Sequence, residues 1–214
     1  METCDVAERG NYGRAVWGGI VLAGFLWAGL DFQTAWAGEA TEAMKGTIDE
    51  VLRILADKDL KQPAKGNERR QLLEKVVGER FDYYEMSRRS LGAPWANLPD
   101  KDKEEFVSLF QTLLVNTYAD KIESYSGEGV HYINERTEKD YAEVRTKVLT
   151  GKTEIPLDYR LLHKASIWRV YDVVVDGVSL VNNYRGQFTK ILRNGSYADL
   201  IDQLRKKSDK IKTP

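Results

Sequence analysis

The chain has 214 residues, 42% of them hydrophobic and 30% charged, which is typical of one globular domain or two small ones. Its 32 basic and 33 acidic side chains give a net charge of −1, without the cationic excess that nucleic-acid binding requires. The only cysteine is Cys4, which excludes a disulfide framework and a cysteine zinc site. With two histidines as well, the composition favours a binding protein over a metalloenzyme, and we expect no metal or other cofactor.

The N-terminal segment has the pattern of a secretory signal. Residues 15–30 read AVWGGIVLAGFLWAGL, an uncharged run that is shorter than the roughly 20 residues of a membrane-spanning helix. Ala35 and Ala37 supply the small residues of a cleavage site. We therefore predict a signal peptide over residues 1–37 and one exported domain over residues 38–214, with an uncleaved anchor as the alternative.

The first half of the predicted domain has helical periodicity. Apolar residues recur at helical spacing between residues 41 and 57, and Pro63 ends that unit. Asn67 is a candidate cap for a second helix, and residues 81–92 predict one or two further turns. Asp100 begins the strongest helix, whose apolar face comprises Phe106, Leu109, Phe110, Leu113, Leu114 and Tyr118.

After Gly127 the spacing of the apolar residues changes from helical to every second position, which predicts strands at 129–135, 140–150, 154–163 and 166–175. Short spacers between them favour antiparallel hairpins over parallel crossovers. Two more helices follow, separated by a stop at Asn194-Gly195 and a capping box from Ser196 to Asp199. The predicted fold class is α+β, with a curved antiparallel sheet of about four strands and helices packed on one face.

Few polar residues suggest catalysis. His131 and His163 lie on separate predicted strands without a neighbouring cysteine, so we interpret them as ordinary strand residues. Asp158 and Asp172 form either a carboxylate pair in a cavity or, as we favour, salt bridges to Arg160, Arg169 or Arg185.

The C-terminal end is basic. We interpret it as a solvated helix end, with docking to an anionic membrane or partner as the alternative. The residues concerned are Arg205, Lys206, Lys207, Lys210 and Lys212.

Periodicity leaves one question open. A curved sheet covered by helices is either filled by its own side chains or partly hollow, in which case an apolar ligand completes the core. The large side chains in the apolar stripes are compatible with both arrangements.

A resemblance to a known family bears on that question. The segments W-x-V-Y-D-V (168–173), D-G-V-S-L-V (176–181) and N-x-Y-R-x-Q-F (182–188) resemble, in order and spacing, the C-terminal signature of the MlaC family. This family is also called the toluene-tolerance auxiliary family of an ABC-type lipid transport system. A looser likeness at residues 106–114 and at Tyr118-Ala119 extends the resemblance over roughly residues 41–208.

The resemblance implies a periplasmic phospholipid carrier with a fold similar to that of nuclear transport factor 2. Such a carrier shuttles lipid between an inner-membrane ABC transporter complex and an outer-membrane lipoprotein complex, maintains outer-membrane lipid asymmetry and catalyses no reaction. Its expected lipid-binding residues here are Phe106, Leu109, Phe110, Leu113, Tyr118, Leu157, Tyr159, Val173, Val175, Val178, Leu180, Tyr184 and Phe188.

Two further expectations concern polar groups. We expect Asp172 and Arg185 to form an internal ion pair at the strand-to-helix junction, and the lipid headgroup to lie near solvent because desolvating a phosphate is costly. Two alternatives to the carrier stay open. One is a periplasmic adaptor with a filled core, and the other is a small α+β enzyme that uses Asp158 or Asp172 as general base.

Overall fold

The computed structural model describes residues 38–125, 129–151 and 153–211, with side chains as far as Ser208. The predicted signal peptide, residues 1–37, lies outside the described residues, and its cleavage stays a prediction. Within those described ranges, no helix is both long enough and apolar enough to cross a membrane.

Helices flank a single sheet, and this order confirms the predicted α+β class. The helices are α1 (Glu39–Ala56), α2 (Gly66–Arg80), α3 (Tyr83–Leu91), α4 (Asp100–Glu123), α5 (Leu180–Asn194) and α6 (Tyr197–Ile211). The prediction that Asn67 caps α2 is wrong, because a 3-10 turn at Pro63–Lys65 leads directly into that helix. Lys65 is the N-cap residue, and Asn67 lies inside the first turn.

The sheet is open, curved and antiparallel, with its strands in chain order. The strands are β1 (Val130–Glu138), β2 (Tyr141–Thr150), β3 (Thr153–Lys164), β4 (Ile167–Val175) and β5 (Val178–Ser179). The sequence predicted about four strands, and the fifth arises from the turn after β4. There Asp176 and Gly177 adopt φ angles of 49° and 78°, the two left-handed positions of a tight hairpin turn.

A bulge at Tyr171 changes which residues of β4 face the helices. Leu161 pairs with Val170 while Arg160 pairs with Asp172, so Tyr171 is the extra residue between them. Before the bulge, Val170 faces the helices, and after it Val173 does. The bulge thereby places Asp172 on the opposite face of the sheet.

The helices α3 to α6 enclose a filled aromatic core. Phe106 and Phe110 are fully buried, and the Phe110 ring lies 5.1 Å from that of Tyr184 and 5.5 Å from that of Phe188, centroid to centroid. Such edge-to-face contacts add to the stabilisation from burial alone. This core is the scaffold against which α4 and α5 are held.

Two smaller clusters attach α1 and α2. Ala40 and Met44 of α1 pack on Val144, Leu161 and neighbouring residues of the sheet. Ile54 and Leu55 of α1 pack on Leu73, the only buried residue of α2. Val76 of α2 packs partly buried against the same cluster, and Arg80 at the end of α2 donates to the Thr47 hydroxyl at 2.9 Å.

The last two helices begin with side-chain caps. The Asn182 amide donates to the Ser179 hydroxyl at 3.0 Å at the start of α5. At the start of α6 the Ser196 amide donates to the Asp199 carboxylate at 2.7 Å, and the Asp199 amide donates back to the Ser196 hydroxyl. The predicted capping box is confirmed, and α5 ends at Asn194 as predicted.

Candidate functional site

An apolar cavity of about 250 Å³ lies between the sheet and helices α2, α3 and α4. This volume is the space open to the centre of a water molecule, and one water needs only about 10–15 Å³ of it. The cavity is lined by Arg70, Leu73, Glu74, Val77, Phe81, Tyr83, Met86, Leu114, Val115, Tyr118, Ala119, Ile122, Glu123, Leu157, Tyr159, Val173, Val175 and Leu180.

Two strands form the floor of the cavity. Leu157 pairs directly with Val175, and Tyr159 pairs directly with Val173, so the four side chains make two adjacent rows on one face. Alternation on β3 and the bulge on β4 bring Leu157 and Tyr159, together with Val173 and Val175, to this face. The result is a continuous apolar strip along β3 and the end of β4.

The C-terminal half of α4 forms a wall. Leu114, Tyr118 and Ile122 repeat at intervals of four residues, which places them on one side of the helix, with Val115 and Ala119 beside them. None of these five side chains is charged. The wall and the floor together give the interior an apolar character.

Charged side chains mark the opening, which we call the mouth: Arg70, Glu74 and Glu123. Arg69 donates to Glu123 at 2.7 Å, and Arg70 donates to the same carboxylate at 3.3 Å. Burial opposes ionisation of Glu123, but the hydrogen bonds from both arginines outweigh it and hold its pKa below the ordinary value. These ion pairs join α2 to α4 across the mouth.

The tyrosine hydroxyls of the cavity stay protonated at neutral pH. Burial raises the pKa of Tyr83 to about 12, with a further contribution from the Glu74 charge. Burial also raises the pKa of Tyr159, which is nearly inaccessible to solvent. The interior therefore offers hydroxyl groups but no charge.

The cavity can be compared with known proteins. The family model for the MlaC protein matches residues 45–206, which is most of the chain. This chain belongs to the MlaC family. The resemblance inferred from the C-terminal motifs is thereby confirmed.

Two relatives of this MlaC family member are informative. The intermembrane phospholipid transport system binding protein MlaC of Haemophilus influenzae is 22% identical over 120 residues, 53% of this chain and 56% of that protein. The chain thus matches just over half of that relative's length. A phospholipid-binding protein from Ralstonia solanacearum, solved with a phospholipid bound, is 25% identical with a TM-score of 0.71. That alignment covers 81% of this chain and 99% of the other.

Of the thirteen residues expected from the sequence to bind lipid, six line the cavity. They come from α4, from β3 and β4, and from the start of α5. They are Tyr118, Leu157, Tyr159, Val173, Val175 and Leu180.

The other seven lie elsewhere. Val178 is 56% exposed on β5. Leu109 is partly buried against the filled aromatic core, and five more residues belong to that core: Phe106, Phe110, Leu113, Tyr184 and Phe188. The physical reason is the length of α4, whose N-terminal half packs on α5 and α6 while only its C-terminal half faces the sheet.

Sequence reasoning missed the contribution of α2 and α3. Leu73 and Val77 line the cavity from α2, and Phe81, Tyr83 and Met86 line it from the region of α3. Leu73 and Val77 were recognisable as one apolar helix face. Periodicity identifies the apolar face of a helix but not the element that this face packs against. No sequence signal therefore showed that α2 and α3 line the cavity.

The expected ion pair between Asp172 and Arg185 is wrong. Asp172 instead accepts hydrogen bonds from Arg160 at 3.1 Å, from the Ser179 hydroxyl at 2.6 Å and from the Val181 amide at 3.0 Å. Arg185 donates to the Arg89 carbonyl at 2.8 Å. Asp172 therefore holds the strand-to-helix junction by accepting a hydrogen bond from a backbone amide in the first turn of α5. Amides in the first turn of a helix have no carbonyl partner within the helix.

The remaining catalytic candidates lie outside the cavity. Neither Asp158 nor Asp172, the two general bases considered in the enzymatic alternative, lines it. His131 is exposed on β1, and the His163 ring packs 4.8 Å from that of Trp168, centroid to centroid. Among the described residues, no group of three potential metal ligands occurs.

Proposed function

We propose that this protein is a periplasmic carrier that holds phospholipid tails in the cavity between the sheet and helices α2 to α4. The observation that supports this proposal is the combination of an apolar floor and wall with a charged mouth, in a member of the MlaC family. Both relatives support it as well, since one is named for intermembrane phospholipid transport and the other binds a phospholipid. The predicted domain over residues 38–214 is then the lipid-binding domain.

The physical need for a carrier is large. A diacyl lipid has on the order of thirty methylenes, and each contributes about 0.8 kcal/mol on leaving water, so escape into an aqueous space costs roughly 25 kcal/mol gross. A carrier that offers an apolar interior removes most of this barrier. The carrier needs no energy source of its own, because the lipid tails remain in an apolar environment in the donor membrane, in the carrier and in the acceptor membrane.

The tail and the headgroup have different places in this proposal. The tail lies on the strip formed by Leu157, Tyr159, Val173 and Val175, against the wall of α4. The headgroup stays at the mouth, where solvent and charged side chains solvate it without a desolvation cost. Of the thirteen residues expected to bind lipid, we retain for direct contact the six that line the cavity.

The partners are proposed from the family. We propose that the carrier receives and delivers lipid by docking to an inner-membrane ABC transporter complex and an outer-membrane lipoprotein complex, and so maintains outer-membrane lipid asymmetry. It catalyses no reaction, and ATP is hydrolysed by the transporter. The cavity favours this carrier over an adaptor with a filled core, because an adaptor has no need for an apolar space that a guest can occupy.

Transfer of labelled phospholipid between vesicles tests the proposal. Donor vesicles carry a fluorescent phospholipid and a quencher, acceptor vesicles carry neither, and the protein is added in substoichiometric amount. Dequenching should accelerate in proportion to protein concentration. A rate equal to that of vesicles alone, with protein shown to be folded, would contradict the carrier.

A further inference from the structure

The helix α5 has an exposed face that the lipid cavity does not use. Its buried face, Val181, Tyr184 and Phe188, packs into the filled aromatic core. Between the polar side chains of its opposite, solvent-exposed face lies a shallow open depression, which we call the α5 groove. The residues of this α5 groove are Asn182, Arg185, Gly186, Thr189, Lys190, Arg193 and Asn194.

The α5 groove is cationic and contains no acidic residue. All charged residues of α5 are basic: Arg185, Lys190 and Arg193. In the described part of the chain, Lys190 and Arg193 make no ion pair. In a chain whose net charge is −1, this is a local excess of uncompensated positive charge.

The neighbouring helix α3 fixes one of these cations. Arg185 donates through its Nε to the Arg89 carbonyl at 2.8 Å. The Arg185 guanidinium is thereby held in place while its two terminal nitrogens remain available to a ligand.

The chemistry of the α5 groove indicates its ligand. The lining provides guanidinium, ammonium, carboxamide and hydroxyl donors, and space is open above Gly186, where an added Cβ would meet nothing within 4 Å. We propose that the α5 groove binds an acidic segment of a partner protein. Carboxylates along an extended chain match these donors, and the absence of a side chain at Gly186 lets a backbone approach closely.

A bilayer fits this surface less well. A membrane interface is usually engaged through exposed apolar or aromatic side chains. Among the described residues, the exposed large apolar side chains are Leu72, Tyr84, Ile133, Tyr141, Ile167 and Val178, and none of them belongs to α5. An acidic protein segment is therefore the better match.

Docking at the α5 groove leaves the lipid cavity accessible. Only Leu180, in the first turn of α5, lines the cavity, and the groove begins at Asn182 on the exposed face. A partner seated on the groove would thus hold the carrier without covering the mouth at Arg70 and Glu123. Because the groove is a surface charge cluster, its main effect is on association rate and salt dependence.

Peptide binding tests this inference on protein purified from the periplasm of a bacterial host. The probe is a fluorescent peptide of ten glutamates, and its anisotropy is followed at about 20 mM and about 300 mM salt. We expect binding at low salt that weakens at high salt, and a loss of at least about tenfold in affinity in Lys190→Glu/Arg193→Glu. The matched control is Lys206→Glu/Lys207→Glu, the same charge change at two exposed residues of α6, which should change affinity by less than about threefold.

Several outcomes would overturn the inference. They are no peptide binding at low salt, an equal loss in both double variants, and binding of anionic vesicles that depends on Lys190 and Arg193 while the peptide does not bind. The last outcome would assign the groove to a membrane surface. Lipid occupancy and thermal unfolding, measured on the same samples, report separately on the carrier function and on the fold.

Discussion

Filling the cavity at Val175 should expel the lipid tail and leave the fold intact. Val175 lines the cavity beside Leu157, whereas its cross-strand neighbour Val178 is 56% exposed and lies outside the cavity. In Val175→Trp the indole occupies space that the tail would use. If it displaces about three methylenes at about 0.8 kcal/mol each, binding weakens by about 2.4 kcal/mol, or about fiftyfold.

The assay is native mass spectrometry of the unmodified protein, Val175→Trp and Val178→Trp, purified in parallel from the same host. The fraction of lipid-bound protein should fall in Val175→Trp and stay unchanged in Val178→Trp, with thermal unfolding confirming that both variants are folded. Full lipid occupancy in a folded Val175→Trp would refute the reasoning. An equal loss in the two variants would also refute it, since only one of the two positions lines the cavity.

Three further predictions concern stability. Phe110→Ala should lower the free energy of unfolding in urea by about 3–5 kcal/mol without changing lipid occupancy of the folded protein, because Phe110 fills the aromatic core and not the cavity; a loss below about 1 kcal/mol would contradict this packing. Asp172→Ala should cost about 3 kcal/mol, since it removes the partner of Arg160 and the cap of α5, and an unchanged urea midpoint would contradict that role. The pKa of Glu123 is lowered in the folded state, so its contribution is present above the ordinary carboxyl pKa and is lost as pH falls through the lowered value. The difference in unfolding free energy between the unmodified protein and Glu123→Gln should therefore be largest at neutral pH, at about 1 kcal/mol or less because the pair is partly exposed, and should shrink towards acidic pH. A difference that grows on acidification would contradict the assignment.

Much of the fold could be predicted because local signals agreed with it. Alternation located the long strands, helical spacing located the helices, and the capping box at Ser196 marked the start of α6. The fifth strand was missed because two residues are too few to show alternation. The start of α2 was misplaced because a 3-10 turn at Pro63–Lys65 leads directly into the helix, so that no side-chain cap marks its first residue.

The cavity could be predicted only in part, for a geometric reason. Periodicity identifies the apolar face of an element but not its neighbour, so Phe106 and Tyr118 of α4 looked equivalent although one packs in the core and the other lines the cavity. Alternation along the strands was sufficient to propose that Leu157 and Val175 line the cavity. The partner of Asp172 was not, because the bulge at Tyr171 sets which face each later residue of β4 occupies, and no sequence signal marked it.

The most direct test of the carrier is a crystal structure of the protein purified from a bacterial host. We expect continuous density for a hydrocarbon tail along Leu157, Tyr159 and the wall of α4, with a headgroup beside Arg70 at the mouth. Side chains packed across this space, or ordered water alone in it after purification with lipid vesicles, would contradict a carrier that holds phospholipid in this cavity.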